Sequence, residues 1–257
     1  MSRKNTLIVI AFFVCALAVW QIVAMSGAFP KLLFPSLVEI GQAFGKGVTK
    51  EKMLLSAANS LSLIFRGIGL GVVLTFVIVA LSILFKTMRT IFNALIAIFD
   101  PLPGLAMIPI AMLWFGTGEL TIIFIMIHGM LWPMSRSVLD GVKSIPRIYV
   151  EVGENIGLKH LKLITGVYIP ACFPNILTGL KTGWARAWRA LIGIEMIFGV
   201  TQGVGGIGFY IFQRRYQLDM AGVFAALIVI ILIGLAIEYG VFQQIENRTI
   251  RRWGMVR

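Results

Sequence analysis

Four ionisable residues lie in or beside long apolar runs: Asp100, Arg186, Arg189 and Glu195. A charged side chain at membrane depth costs at least about 2.5 kcal/mol. Such residues mark a route for a solute or coupling ion, or a packed ion pair. Arg186 and Arg189 are three apart and share a helix face. They line a pathway or snorkel to the inner interface. Arg189 and Glu195 are six apart, too far round a helix to pair directly. Glu195 therefore needs a partner on another run, with Arg66 a candidate, or lines the pathway. Asp100 sits among Pro101, Pro103 and Pro109. Prolines kink helices, and freed carbonyls are tolerated in a membrane where they face protein or a water-filled cavity. An acid at a kink reads equally as a pathway group or as packing.

Covalent chemistry finds little support. His128 and His160 are far apart, and no Ser-His pairing or metal spacing accompanies them. A lone His128 on an apolar helix reads as packed structure. Cys15 and Cys172 are isolated and form no metal or disulfide framework. An embedded enzyme needs clustered acid-base or metal groups, which this chain lacks.

The second feature is a polar island, Ser135 to about Thr165, whose central stretch is EVGENIGLKHLKLITGVYIP from Glu151 to Pro170. Pro146 sets a helix start, and Arg147 to Asn155 form a short helix with Glu151 in its middle and Glu154 beside it. Gly157 turns the chain without Cβ strain, a second amphipathic piece follows, and Pro170 is a stop. A polar, helix-forming insert in an apolar chain is suited to docking a soluble partner.

The elements that position these groups are membrane spans. The 257 residues are 58% apolar and only 13% charged, against about a quarter charged in soluble domains. Apolar runs long enough to span cover Leu7 to Met25, Ser60 to Phe85, Ile91 to Phe115, Leu120 to Pro133, Leu177 to Val200 and Ala221 to Phe242. The expected fold is an all-α integral membrane protein of about six transmembrane helices. Ala16-Leu17-Ala18 has the form of a cleavage site, yet the run continues through Val19, Trp20, Ile22 and Val23, as an anchor would. Ser36 and Glu39 form a capping box in a segment expected along the outer membrane face. Gly67, Gly69 and Gly71 permit close helix approach. The fourth run is short, and 201–220 reads as a Gly-rich outer loop.

The net charge of +12 is expected from basic cytoplasmic loops, not from nucleic-acid binding. With six spans both termini share one side. That side carries 14 Lys and Arg, including Arg136, against 6 on the other, and the excess assigns it to the cytoplasm.

Glu151-Val-Gly153, three residues, Gly157, nine residues and Val167-Tyr-Ile169-Pro170 resemble the EAA motif of permease subunits of binding-protein-dependent ABC importers. Val152 and Gly153 depart from its two alanines. Gly153 lowers helix propensity by about 1 kcal/mol relative to Ala. Asp100 to Pro103, Ile108 to Glu119, Ala187-Trp188, Glu195-Met196 and Gly203 to Gly208 resemble the nitrate/sulfonate/taurine branch. The resemblance covers about residues 35 to 253.

It implies a type I (MetI-like) permease fold and three regions: 1–55, an anchor helix and outer segment; 56–245, the transmembrane domain with a coupling loop at about 135–170; and 246–257, a basic cytoplasmic tail. It also implies an inner-membrane, multi-pass protein that pairs with a second copy. Glu151, Gly153, Glu154, Gly157 and Pro170 would dock a cytoplasmic ATPase. Asp100, Pro103, Pro109, Arg186, Arg189 and Glu195 would belong to the pathway. An extracytoplasmic binding protein would deliver the solute, an anion such as nitrate, a sulfonate or taurine, or a related small metabolite. No cofactor is expected on the chain, because it has no Gly-x-x-x-x-Gly-Lys-Ser/Thr phosphate loop and ATP would be bound by the partner subunit. A self-contained secondary transporter or channel is the alternative, kept open by the intramembrane charges.

Overall fold

The computed structural model describes residues 3–30, 32–198 and 205–254. The expectations that fall on Ser2, Lys31, Val200, Gly203 and Arg257 lie outside the described residues. All regular elements among the described residues are helical. Four helices are long and apolar enough to cross a membrane, and two bent pairs bring the total to six.

Helix α1, Arg3–Met25, is apolar on every side and almost wholly exposed. It attaches at its C-terminal end. Trp20 stacks on Phe34 at 4.2 Å and donates its indole N–H to the Pro35 carbonyl at 3.1 Å. The N–H of Leu37 donates to Gln21 Oε1 at 2.9 Å. The adjoining α2, Leu37–Thr49, starts with the expected capping box. Its Gly47 lies against Met53 and Tyr210, where an added Cβ would come within 3.0 Å of each.

Helix α3, Met53–Leu84, carries the glycines singled out from the sequence. An added Cβ at Gly67 would lie 2.7 Å from Met126, and at Gly71 3.0 Å from Met130, while Gly69 faces open space. The third span is broken. Helix α4, Lys86–Phe99, and the segment Gly104–Phe115 meet at 94°. The break falls at Asp100 to Pro103, where X-Pro geometry disfavours helix. Pro109 does not kink this span. It sits in the first turn of α5, Ile108–Phe115, where a missing N–H costs nothing.

Two expectations are corrected here. The fourth run is not short: α6 extends from Glu119 to Ser144, through Pro133. Its polar second half is helical because the small residues there face another helix. Ser137 donates to the Asn175 carbonyl at 2.8 Å, and Gly141 sits against the Asn175 side chain. The stretch after residue 204, expected as a loop, is helical over much of its length. It holds α9, Ile207–Tyr216.

Between α6 and the fifth span lies α7, Arg147–Asn155, and a short segment, Leu161–Ala171, which meets α8, Phe173–Phe198, at 75°. Helix α8 is the centre of the bundle. Gly179 and Gly183 bring it onto Met134 and Met130 of α6. The last span, α10, Met220–Ile237, starts at an Asp219 cap and continues helically to Arg248.

Packing of α6 on α8 yields a direct test. An added Cβ at Gly183 would lie 2.7 Å from Met130 Cγ, whereas Gly69 has nothing within 4 Å. Gly183→Leu should lower the melting temperature of the detergent-solubilised chain through about 1–3 kcal/mol of overpacking. Gly69→Leu should leave it unchanged.

Candidate coupling loop and charge-lined cavity

Helix α7 forms over the residues the sequence indicates. Pro146 precedes it with φ −58°. It closes in a Schellman turn: the Gly157 N–H reaches the Glu154 carbonyl at 2.9 Å and the Leu158 N–H reaches Gly153 at 3.0 Å. Gly157 holds φ +88° there. Gly153 faces inward and is buried. An added Cβ would lie 2.8 Å from Leu163 and 2.9 Å from Val167. The glycine at the position of the motif's second alanine thus admits the return segment.

The exposed surface of α7 carries Ile148 and Val152, one turn apart, continued by Ile156 at its C-cap, with Tyr149 beside them, all at least half exposed. Contiguous exposed apolar groups of this kind mark interaction surfaces. Glu151 pairs with Arg147 at 2.9 Å on its own helix. Glu154 lines a cavity of about 370 Å³ beneath α7, with Arg89, Lys143 and Tyr168. Pro170 is not a stop. It lies in the first turn of the short helix Ile169–Ala171, and the chain bends at Cys172 into α8.

The second group centres on Asp100. Its Oδ1 accepts from Arg186 at 2.7 Å and its Oδ2 from Arg136 at 2.9 Å. One carboxylate therefore ties α4, α6 and α8. Arg186 is at the midpoint of α8, about 19 Å from either end at 1.5 Å per residue, and its guanidinium is bound to Asp100. Arg136, placed in a cytoplasmic loop by sequence, belongs to this cluster. The signal was available as His128, Trp132 and Arg136, spaced by four on one helix face. Asp100, Pro101, Pro103, His128, Arg186 and Arg189 line a cavity of about 500 Å³. Pro109 is not among the lining residues.

Glu195 stands apart from that cavity. It is 4% exposed and accepts from Ser60 Oγ at 2.7 Å and from the Gly208 N–H at 2.9 Å. Ser60 Oγ in turn accepts from the Ile207 N–H at 2.9 Å. The expected partner Arg66 pairs instead with Glu119. Glu195 thus caps α9, satisfying N–H groups that a helix start leaves unpaired. Glycine is required at this contact, because an added Cβ at Gly206 would fall 2.0 Å from Glu195 Oε1.

A multi-pass α-helical bundle with broken spans, an inward cavity lined by charge and a short helix displayed on a polar loop defines a membrane permease. Residues 67–251 match the binding-protein-dependent transport system inner membrane component family, and the chain belongs to it. It is 29% identical to a putative ABC transporter permease protein of Methanocaldococcus jannaschii, over 96% of this chain and 92% of that one. It is 30% identical to the nitrate import permease protein NrtB of a Synechocystis strain, over 86% and 82% of the two chains. It is 30% identical to the taurine transport system permease protein TauC of Escherichia coli, over 60% and 54%. The chain is thus a transmembrane subunit of a binding-protein-dependent ABC importer of the nitrate/sulfonate/taurine branch, and not an enzyme.

The Glu195 contact predicts an asymmetry. Glu195→Ala leaves the Ser60 hydroxyl and the Gly208 N–H unsatisfied, at about 1–3 kcal/mol each. Ser60→Ala leaves the carboxylate its Gly208 bond. Hydrogen exchange should therefore accelerate most at the Gly208 amide in Glu195→Ala and most at the Ile207 amide in Ser60→Ala, with the larger loss of stability in Glu195→Ala.

Proposed function

We propose that two copies of this chain enclose a pathway for a small oxyanion, with the coupling loop and both termini in the cytoplasm. The observation that carries this reading is a stripe on α8. Thr178, Thr182, Ala185 and Arg189 are exposed along one side of a membrane-depth helix. A bare arginine facing lipid there costs at least about 2.5 kcal/mol. The stripe is accommodated where it faces water and a second copy. The names of two relatives, nitrate and taurine permeases, support an anionic head group as the solute's common feature.

In this reading α7 enters a cleft of a separate ATPase subunit, which binds and hydrolyses ATP. Its apolar face makes the contact, Glu151 and Glu154 supply charge at the rim, and Gly153, Gly157 and Pro170 shape the loop behind it. A binding protein delivers solute to the opposite side. The functional body is 56–245, preceded by the anchor region 1–55 and followed by the basic tail from 246.

Native mass spectrometry of the purified complex should show two permease copies with two ATPases. One permease copy per two ATPases, with no second permease species, overturns the homodimer. Position 157 separates strain from bulk. Open space surrounds an added Cβ there, but φ is +88°, which costs a side-chain residue roughly 1–2 kcal/mol. Gly157→Ala should therefore impair ATPase retention and uptake about as much as Gly157→Leu, and Gly157→Asn should impair them least. Glu151→Ala removes one exposed pair worth about 0–1 kcal/mol and should do less than any of these. Wild-type uptake with Gly157→Leu removes the coupling role.

A further inference from the structure

Within the cavity beside Asp100 the charges do not balance. Asp100 is shared by Arg186, which lines the cavity, and Arg136, which does not, and Arg189 adds a second guanidinium to the lining. Among the described residues no carboxylate pairs with Arg189, whose Nε reaches the Ala185 carbonyl at 3.0 Å. One negative charge, already shared with Arg136 behind it, thus faces two positive ones in the lining. His128 lines the same space, is 7% exposed, and has neither ring nitrogen bonded to a protein group. A buried, unpartnered imidazole at a cavity wall needs a polar occupant. The space, about 500 Å³, holds a small ion with roughly a dozen waters at about 30 Å³ each.

We infer that Arg186, Arg189 and His128 form an oxyanion-binding station in the membrane-spanning cavity, with Asp100 as its internal competitor. The inference rests on the small-anion reading above and names the groups that would hold the ion. Guanidinium forks match the paired oxygens of nitrate, bicarbonate and sulfonate groups. Arg189 makes the first contact because it is exposed and no carboxylate competes for it. Arg186 has donors beyond the one on Asp100 Oδ1. Arg186 lies about 18 Å and Arg189 about 14 Å from the nearer end of α8, against about 15 Å for half the thickness of a hydrocarbon core, which favours a free ion over a lipid phosphate. Conduction requires a site that releases its ion. Asp100 meets that need by reclaiming Arg186 when the anion leaves.

The test uses the complete importer, with its ATPase and binding protein, in lipid nanodiscs and proteoliposomes. In wild type, sodium nitrate or sodium methanesulfonate should slow phenylglyoxal modification of Arg189, read by peptide mass spectrometry, in a saturable way and more than sodium chloride at equal ionic strength. Uptake of the transported anion by Arg189→Gln should fall about tenfold or more in kcat, because a charge-assisted contact is lost, with binding-protein affinity unchanged. Arg189→Lys should recover part of the rate. Equal modification rates in all three salts overturn the station even where a variant fails to fold. An importer that carries an anion at full kcat with Arg189→Gln also overturns it and leaves the anion reading standing. A wild-type importer that carries only neutral or cationic solutes removes both.

Discussion

A charge inside a bilayer has to be paired or wetted, and this chain pairs its most central one twice. Asp100 lies where α4 gives way to the proline-rich break, and it accepts from Arg136 of α6 and Arg186 of α8. Losing the acid would leave two guanidiniums uncompensated, and removing either arginine would leave the acid half satisfied. The carboxylate is the most enclosed of the three groups, at 14% exposure against 41% and 48% for the arginines. The three helices are therefore fixed relative to one another at mid-depth, and the broken span is held open around a cavity. Apolar packing does the rest. Methionines of α6 fill the notches left by glycines on α3 and α8, which suits unbranched, adaptable side chains.

Helix α8 is the common element of the functional groups. Its N-terminal end is joined through the bend at Cys172 to the segment on which Gly153 rests. Its middle carries Arg186 and Arg189. Its far end carries Glu195, which caps α9. One packed helix thus connects the α7 loop, the cavity and the start of α9.

Much of this was legible in the chain. The Arg147 to Asn155 helix, the Gly157 turn, the Ser36 capping box and the close approach at Gly67 and Gly71 each follow from local rules that tertiary packing did not override. Ser135 to Ser144 looked like a polar loop because polar residues were counted, whereas helix interfaces in a membrane recruit small and polar residues. That misreading ended α6 at Pro133 and put Arg136 in the cytoplasm. The glycines before α9 suggested a loop, but Gly206 and Gly208 are there so that a carboxylate can approach the helix start. Arg66 was offered to Glu195 because both are charged. A carboxylate needs donors, not only cations, and a hydroxyl and a backbone N–H suffice.

The same distinction separates Glu195 from Asp100. Glu195 is enclosed by neutral donors that position a helix, and the nearest α9 backbone leaves no room for a solute. Asp100 is held by cations at the edge of a solvent-sized cavity, beside an arginine with no carboxylate of its own. Neutral donors hold Glu195 permanently, since exchanging them gains nothing. Cationic donors can be traded between a fixed carboxylate and a mobile anion at small net cost, because one negative charge replaces another. Of the two acids, only Asp100 sits where a travelling charge can substitute for it.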